Sequence, residues 1–182
     1  MHIEGIVIRK ERRREHDQHV VLYTRQAGKL SVLAKSSLKN TSHQRAALDD
    51  GNLVRAELVP SRSGAFILTS AQAQSCWHTA KAAPQAWAAA QFFLEAVDVL
   101  VFDNQTDELL WDALTGALAA LDGAADVMPT FRRCQGALLE ALGYGTSPNP
   151  DEVFEQIAQR KFKSLELLYG LIGTADPWYR MR

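Results

Sequence analysis

The side chains with the most chemistry to offer in this chain are cations near its start. Arg12, Arg13 and Arg14 form an uninterrupted run, and Lys29, Lys35, Lys39 and Arg45 follow. Guanidinium and ammonium groups in such number neutralise phosphates and release counterions, with a salt slope of about −0.7 per contact on a single strand. The competing use for Arg12–Arg14 is a solvated hairpin tip, partly paired with Glu11 and Glu15. For the lysines it is the protection of exposed strand ends from aggregation. Arg25 and Arg62 are secondary candidates. Tyr23 and Phe66 could stack bases, although aromatic residues on strands more often belong to a core. With so few aromatics to offer, binding is expected to be electrostatic and indifferent to sequence.

Catalysis finds no comparable support. His16 and His19 flank Asp17, and Cys76 lies close to His78, but neither group has the further ligands or orienting partners that a metal or a nucleophile needs. There is no phosphate-cradling glycine loop. No catalytic residue, metal or cofactor is therefore expected, and the chain is read as a non-enzyme.

These cations need elements to position them. Five short apolar runs, Ile6–Ile8, Val20–Tyr23, Leu30–Ala34, Val54–Val59 and Phe66–Thr69, are separated by basic or small polar turns. They predict strands at about His2–Lys10, Gln18–Arg25, Leu30–Lys35, Leu53–Pro60 and Ala65–Gln72, with a helical turn at Gln44–Leu48. Five strands match an OB-type barrel, a fold that lays single-stranded nucleic acid across one face. Charge agrees with this. Residues 1–82 hold 13 Lys and Arg against 7 Asp and Glu, a net +6, whereas residues 83–182 hold 7 against 14, a net −7. The overall charge of −1 conceals two opposite halves.

Pro84 marks a change to helical periodicity. Trp87, Leu94, Val97 and Val101, widened by Phe93 and Leu100, form a stripe broad enough for a buried helix. Thr106 is the expected N-cap of a second helix with Leu110, Leu114, Ala117 and Leu121 inside and Gly123 as its stop. Pro129 opens a third, carrying Phe131, Cys134, Leu138 and Leu142. A single fourth helix is expected from Asp151 to about Ile172. Asp98, within the most apolar helix, should be satisfied by a partner. Arg132 and Arg133 are candidates to pair with it or with Glu95, or to bind an external acid. The C-terminal Trp178–Arg182 is expected to be a partly ordered tail. The fold class is therefore α+β: a five-stranded OB-fold barrel at residues 1–80, packed against an α-helical domain at 81–182. Cys76 and Cys134 imply no disulfide framework, Gln91, Glu95 and Asp98 interrupt the longest apolar segment, and the N-terminus does not read as a signal peptide. A cytoplasmic protein without a membrane partner is expected.

Together with this order of elements, several local motifs resemble the RecO family of bacterial recombination and repair mediators. They are Glu4-Gly5-Ile6-Val7-Ile8, Glu15-His16-Asp17 with Val20–Thr24, Gly28-Lys29-Leu30, Ala34-Lys35-Ser36, Leu138–Tyr144 and Phe162-Lys163-Ser164-Leu165. The resemblance implies a protein that binds single-stranded and double-stranded DNA, anneals complementary strands and helps load recombinase. It further implies a RecR-type protein and the acidic C-terminal tail of single-strand-binding protein as partners, the tail in a groove among the helices where Arg132 or Arg133 could receive it. It would be nucleoid-associated. Two departures stand out. Many relatives carry a four-cysteine zinc motif after the segment matching Gly143-Tyr144, whereas here Gly145–Pro150 carries no cysteine, which makes this a short form. Relatives also often have glycine and paired basic residues where this chain has Ser36-Ser37-Leu38-Lys39, which could shift DNA contacts onto Arg12–Arg14. The alternative is a protein–protein adaptor with little intrinsic DNA binding.

Overall fold

A computed structural model describes residues 1–13, 15–38, 44–61 and 65–173. Five strands, β1 (His2–Arg12), β2 (Gln18–Thr24), β3 (Gly28–Ala34), β4 (Leu53–Pro60) and β5 (Phe66–Ser75), close into a barrel in the order β1-β2-β3-β5-β4. All neighbours are antiparallel except β3 and β5, which run parallel with Leu33 opposite Ile67. This is the OB-fold barrel that the strand count implied.

Period-two alternation builds its interior. Val20, Leu22, Leu30, Val32, Val54, Ala56, Leu58 and Leu68 point inward with Ile3 and Val7 and form one apolar cluster. Leu48, from the connection between β3 and β4, joins the same cluster and is fully buried. That connection contains the expected helical turn, with the Leu48 N–H donating to the Gln44 carbonyl at 3.0 Å. The strands run longer than the apolar runs suggested, β1 reaching Arg12, β3 starting at Gly28 and β5 ending at Ser75. Backbone pairing carries them past their last apolar residue.

Six helices follow among the described residues: α1 (His78–Ala82), α2 (Pro84–Leu100), α3 (Glu108–Asp122), α4 (Val127–Ala141), α5 (Pro150–Ala158) and α6 (Lys163–Ile172). In α2, nine residues from Ala86 to Val97 are buried, so it is the central helix as its composition required. Phe92 packs edge-on against Phe93, Phe131 and Phe154, with ring centroids 5.0–5.3 Å apart, and lies 5.2 Å from Phe162.

Three expectations for the helices need correction. Asp107, not Thr106, caps α3, its carboxylate accepting the Leu110 N–H at 3.0 Å. α4 starts ahead of Pro129, with the Asp126 carboxylate accepting the Met128 N–H. The expected single C-terminal helix is two, because Gln159 takes a left-handed φ of 51° and closes α5, and the fully buried Phe162 precedes α6. Trp77 and Cys76 are half-buried.

The chain divides into two compact units. One comprises Met1–Cys76 with Val101–Trp111; the other comprises Trp77–Leu100 with the described residues from Asp112 onward. Where the sequence suggested one boundary near residue 80, the structure returns residues 101–111 to the barrel unit. Gly28 records that return: with φ +67°, it sits so close to this segment that a Cβ would lie 2.0 Å from the Gln105 carbonyl oxygen.

Candidate nucleic-acid interface

The β1–β2 hairpin and the turn after β3 form one hydrogen-bonded structure. Arg12 pairs with Gln18 at the end of β1, and the Arg13 N–H donates to the Asp17 carbonyl at 3.0 Å. The Asp17 carboxylate accepts the Ser36 N–H at 2.8 Å, and the His16 carbonyl accepts the Leu38 N–H at 3.1 Å. Ser36 has φ 52°, a left-handed conformation that needs such local support in a non-glycine residue. The buried Ser37 hydroxyl completes the turn by donating to the Ala34 carbonyl at 3.0 Å. Cations separate in sequence are thereby brought together.

Two concavities result. One, of about 390 Å³, is lined by Arg13, His19, Leu33, Lys35, Phe66 and Ile67 among others. The second, of about 350 Å³, is lined by Arg12, Glu15, His16, Gln18, Leu38 and Arg45. Arg12, Arg13, Lys35 and Arg45 are all exposed. The pairing with neighbouring carboxylates that would have disarmed Arg12 and Arg13 takes a different form. Glu11 is engaged by Arg9, and Arg12 donates to the main-chain oxygen of Glu15 at 3.1 Å, not to its carboxylate. Arg13 reaches His19 Nε2.

Lys29 is not brought to this face. It lies at the opposite end of β3 from Lys35, and its mostly buried side chain ends 3.6 Å from Asp103. Arg25 is held by Glu108, its Nε donating at 2.7 Å. Arg14, Lys39 and Arg62, like the tail Trp178–Arg182, lie outside the described residues.

The two aromatic candidates separate cleanly. Tyr23 is fully buried, its ring centroid 6.2 Å from that of Trp111 and its hydroxyl donating to the Asp107 carbonyl at 3.4 Å. Burial, aided by the Asp107 charge, pushes its phenol up to about 12. Tyr23 is therefore core. Phe66 is half-buried, packs partly on the barrel core and lines the first concavity.

Sequence reasoning overlooked Asp17 as the organiser of the turn, and Leu33 and Ile67 as groove residues. The alternation of β3 held a signal: with Val32 inside, Leu33 places an apolar side chain on the outer face, where a polar one is usual.

In the helical unit, Arg132 meets Asp151. Its guanidinium donates to Asp151 at 2.8 Å, to the Gln135 side-chain amide oxygen (Oε1) at 3.0 Å and to the Tyr169 hydroxyl at 2.5 Å. Gln135 and Tyr169 also donate to Asp151, which is buried. Glu95 instead accepts from Arg160 and from the Ser164 N–H and hydroxyl at the start of α6. Arg133 is exposed. Burial pushes the adjacent Cys134 thiol up, against the opposing pull of Arg133. Among the described residues no group of three or more His, Cys, Asp or Glu side chains converges as a metal site, and no helix is long and apolar enough to cross a membrane.

Comparison with known proteins bears on residues 1–75, which match the family model described as "Recombination protein O N terminal". A protein named "DNA repair protein RecO" from Exiguobacterium sp. is 26% identical over 141 residues, covering 78% of this chain. The chain spans 56% of the length of that relative.

Proposed function

We propose that this chain is a RecO-type protein, since its residues 1–75 match the N-terminal model of that family, and that it acts in DNA repair and recombination by binding single- and double-stranded DNA through the basic face of its barrel. The observation that supports this is the gathering of Arg12, Arg13, Lys35 and Arg45 onto two concavities of one hydrogen-bonded hairpin-and-turn structure. Phosphate contacts position a protein on nucleic acid without reading bases, so little sequence preference accompanies them. The protein is a mediator, not an enzyme: it anneals complementary strands and assists recombinase loading, with a RecR-type protein and the acidic tail of single-strand-binding protein as partners. Arg133 is the better placed of the two helical arginines to meet that tail, since the Arg132 guanidinium is committed to Asp151. The working location is the cytoplasm, at the nucleoid.

The adaptor reading draws on a different observation. Arg25 and Lys29, which would have enlarged the cationic face, are held by Glu108 and Asp103. Fluorescence anisotropy of a labelled oligonucleotide across a salt series separates the two. Tight binding that steepens with falling salt and weakens in an Arg12→Ala/Arg13→Ala variant supports the mediator. Absence of binding even at low salt overturns DNA binding and leaves the adaptor.

A further inference from the structure

Arg13 ends on a histidine. Its guanidinium reaches Nε2 of His19 on the facing strand. A guanidinium has donors and no acceptor, so the contact needs a lone pair on Nε2, which only the neutral imidazole with its proton on Nδ1 provides. Protonation turns Nε2 into a second donor, and the same two groups then repel. Imidazole is the side chain that makes this change between pH 5 and 8.

The charges around His19 are mixed. Register sets Glu11 of β1 beside it on one side and the apolar Leu33 of β3 on the other. Glu11 is itself engaged by Arg9. The concavity that His19 lines adds Lys35 as a second cation and Asp17 as a second carboxylate, the latter already accepting the Ser36 N–H. Among the described residues, cations and carboxylates thus face the ring in comparable number, and a phosphate entering the concavity tips the balance toward the imidazolium. The phosphate also competes with His19 Nε2 for the Arg13 guanidinium. Both effects favour a protonated His19 when DNA is bound.

We propose that the Arg13–His19 contact is a proton-operated latch on DNA binding: neutral His19 competes with phosphate for Arg13, whereas protonated His19 releases Arg13 and adds its own charge. The proposal rests on the DNA-binding reading above and adds to it a proton taken up on binding, so that affinity rises as pH falls through the imidazole range. His16, in the second concavity, faces a carboxylate instead, its Nε2 lying 4.0 Å from Glu15.

The test is anisotropy of a rhodamine-labelled duplex oligonucleotide at pH 8 and pH 6, at one fixed low salt concentration. The wild type should bind about 3- to 10-fold more tightly at pH 6. His19→Gln, whose amide oxygen still accepts Arg13 but takes up no proton, should lose most of that gain. Arg13→Ala should lose much of it too, since no guanidinium remains to be released, whereas His16→Gln should keep it. A gain undiminished in His19→Gln overturns the latch. A gain undiminished in Arg13→Ala also overturns it, because His19 would then act only as an added cation. Equal wild-type affinity at both pH values overturns the latch while leaving DNA binding in place. Absence of binding at either pH overturns the latch and the DNA-binding reading together.

Discussion

Removing the four groove cations should change the salt dependence of DNA binding by an amount the structure fixes. Arg13 and Lys35 line one concavity, and Arg12 and Arg45 the other. If each neutralises one phosphate of a single strand, their loss removes about four contacts at about 0.7 each, flattening the slope of log K against log salt by about 3. Between 50 and 200 mM salt, that slope corresponds to about a 50-fold difference in how far affinity falls. The assay is anisotropy of a labelled single strand over that range, with wild type, Arg12→Ala/Arg13→Ala/Lys35→Ala/Arg45→Ala, and Arg25→Ala/Lys29→Ala. The last variant is the control drawn from the structure, since its cations already face Glu108 and Asp103. It should leave the slope within about 0.5 of wild type. An equal flattening in both variants would refute the reasoning, for it would mean that phosphates respond to overall charge and not to this face.

Other perturbations probe what holds the two units together internally. Gly28→Ala places a Cβ 2.0 Å from the Gln105 carbonyl oxygen at a φ of +67°, so denaturant unfolding should report a loss of about 3 kcal/mol or more. Asp151→Ala takes the shared acceptor from Arg132, Gln135 and Tyr169. It should cost about 3 kcal/mol by thermal melting, with Asp151→Asn costing clearly less. Tyr23 carries a phenol raised to about 12 in the fold against 10.0 otherwise. Its stabilising effect is intact below pH 10 and is lost as pH rises toward 12, at about 1.4 kcal/mol per pH unit. The difference between wild type and Tyr23→Phe in urea midpoints at pH 9 and pH 11 should show that slope, and identical pH profiles would count against it.

How much of this was legible depended on whether the signal was local. The five strands announced themselves because Val20, Leu22, Val32, Val54 and Leu58 alternate with outward residues, and turn glycines and polar runs separate them. The inner face of α3 was equally plain, since Leu110, Leu114, Ala117 and Leu121 recur at helical spacing and are all buried. The break between α5 and α6 was not legible, because Gln159 is an ordinary helix former and its left-handed φ is set by closing α5 ahead of the buried Phe162. The Asp151 partner of Arg132 was not legible for a related reason. Glu95 and Asp98 were attractive partners because they interrupt an apolar helix, but Glu95 is consumed in satisfying the free N–H groups that begin α6.

The fate of β3 shows why the cationic candidates divided as they did. Only Val32, Leu33 and Ala34 pair with β5, so the first half of the strand has an open edge. Residues 101–111 close it: Asp103 bridges to Lys29, the Asn104 N–H donates to the Lys29 carbonyl at 3.0 Å, and Trp111 lies against Tyr23. Everything the sequence offered at that end, Tyr23 for stacking and Lys29 for phosphate, is used to hold the segment. At the other end β5 does the pairing instead, and Leu33, Lys35 and Phe66 remain in the groove. Lys29 and Lys35 look equivalent as letters flanking one strand. They differ because a return segment distant in sequence covers one half of that strand's edge, and the concavity lined by Lys35 begins where the cover stops.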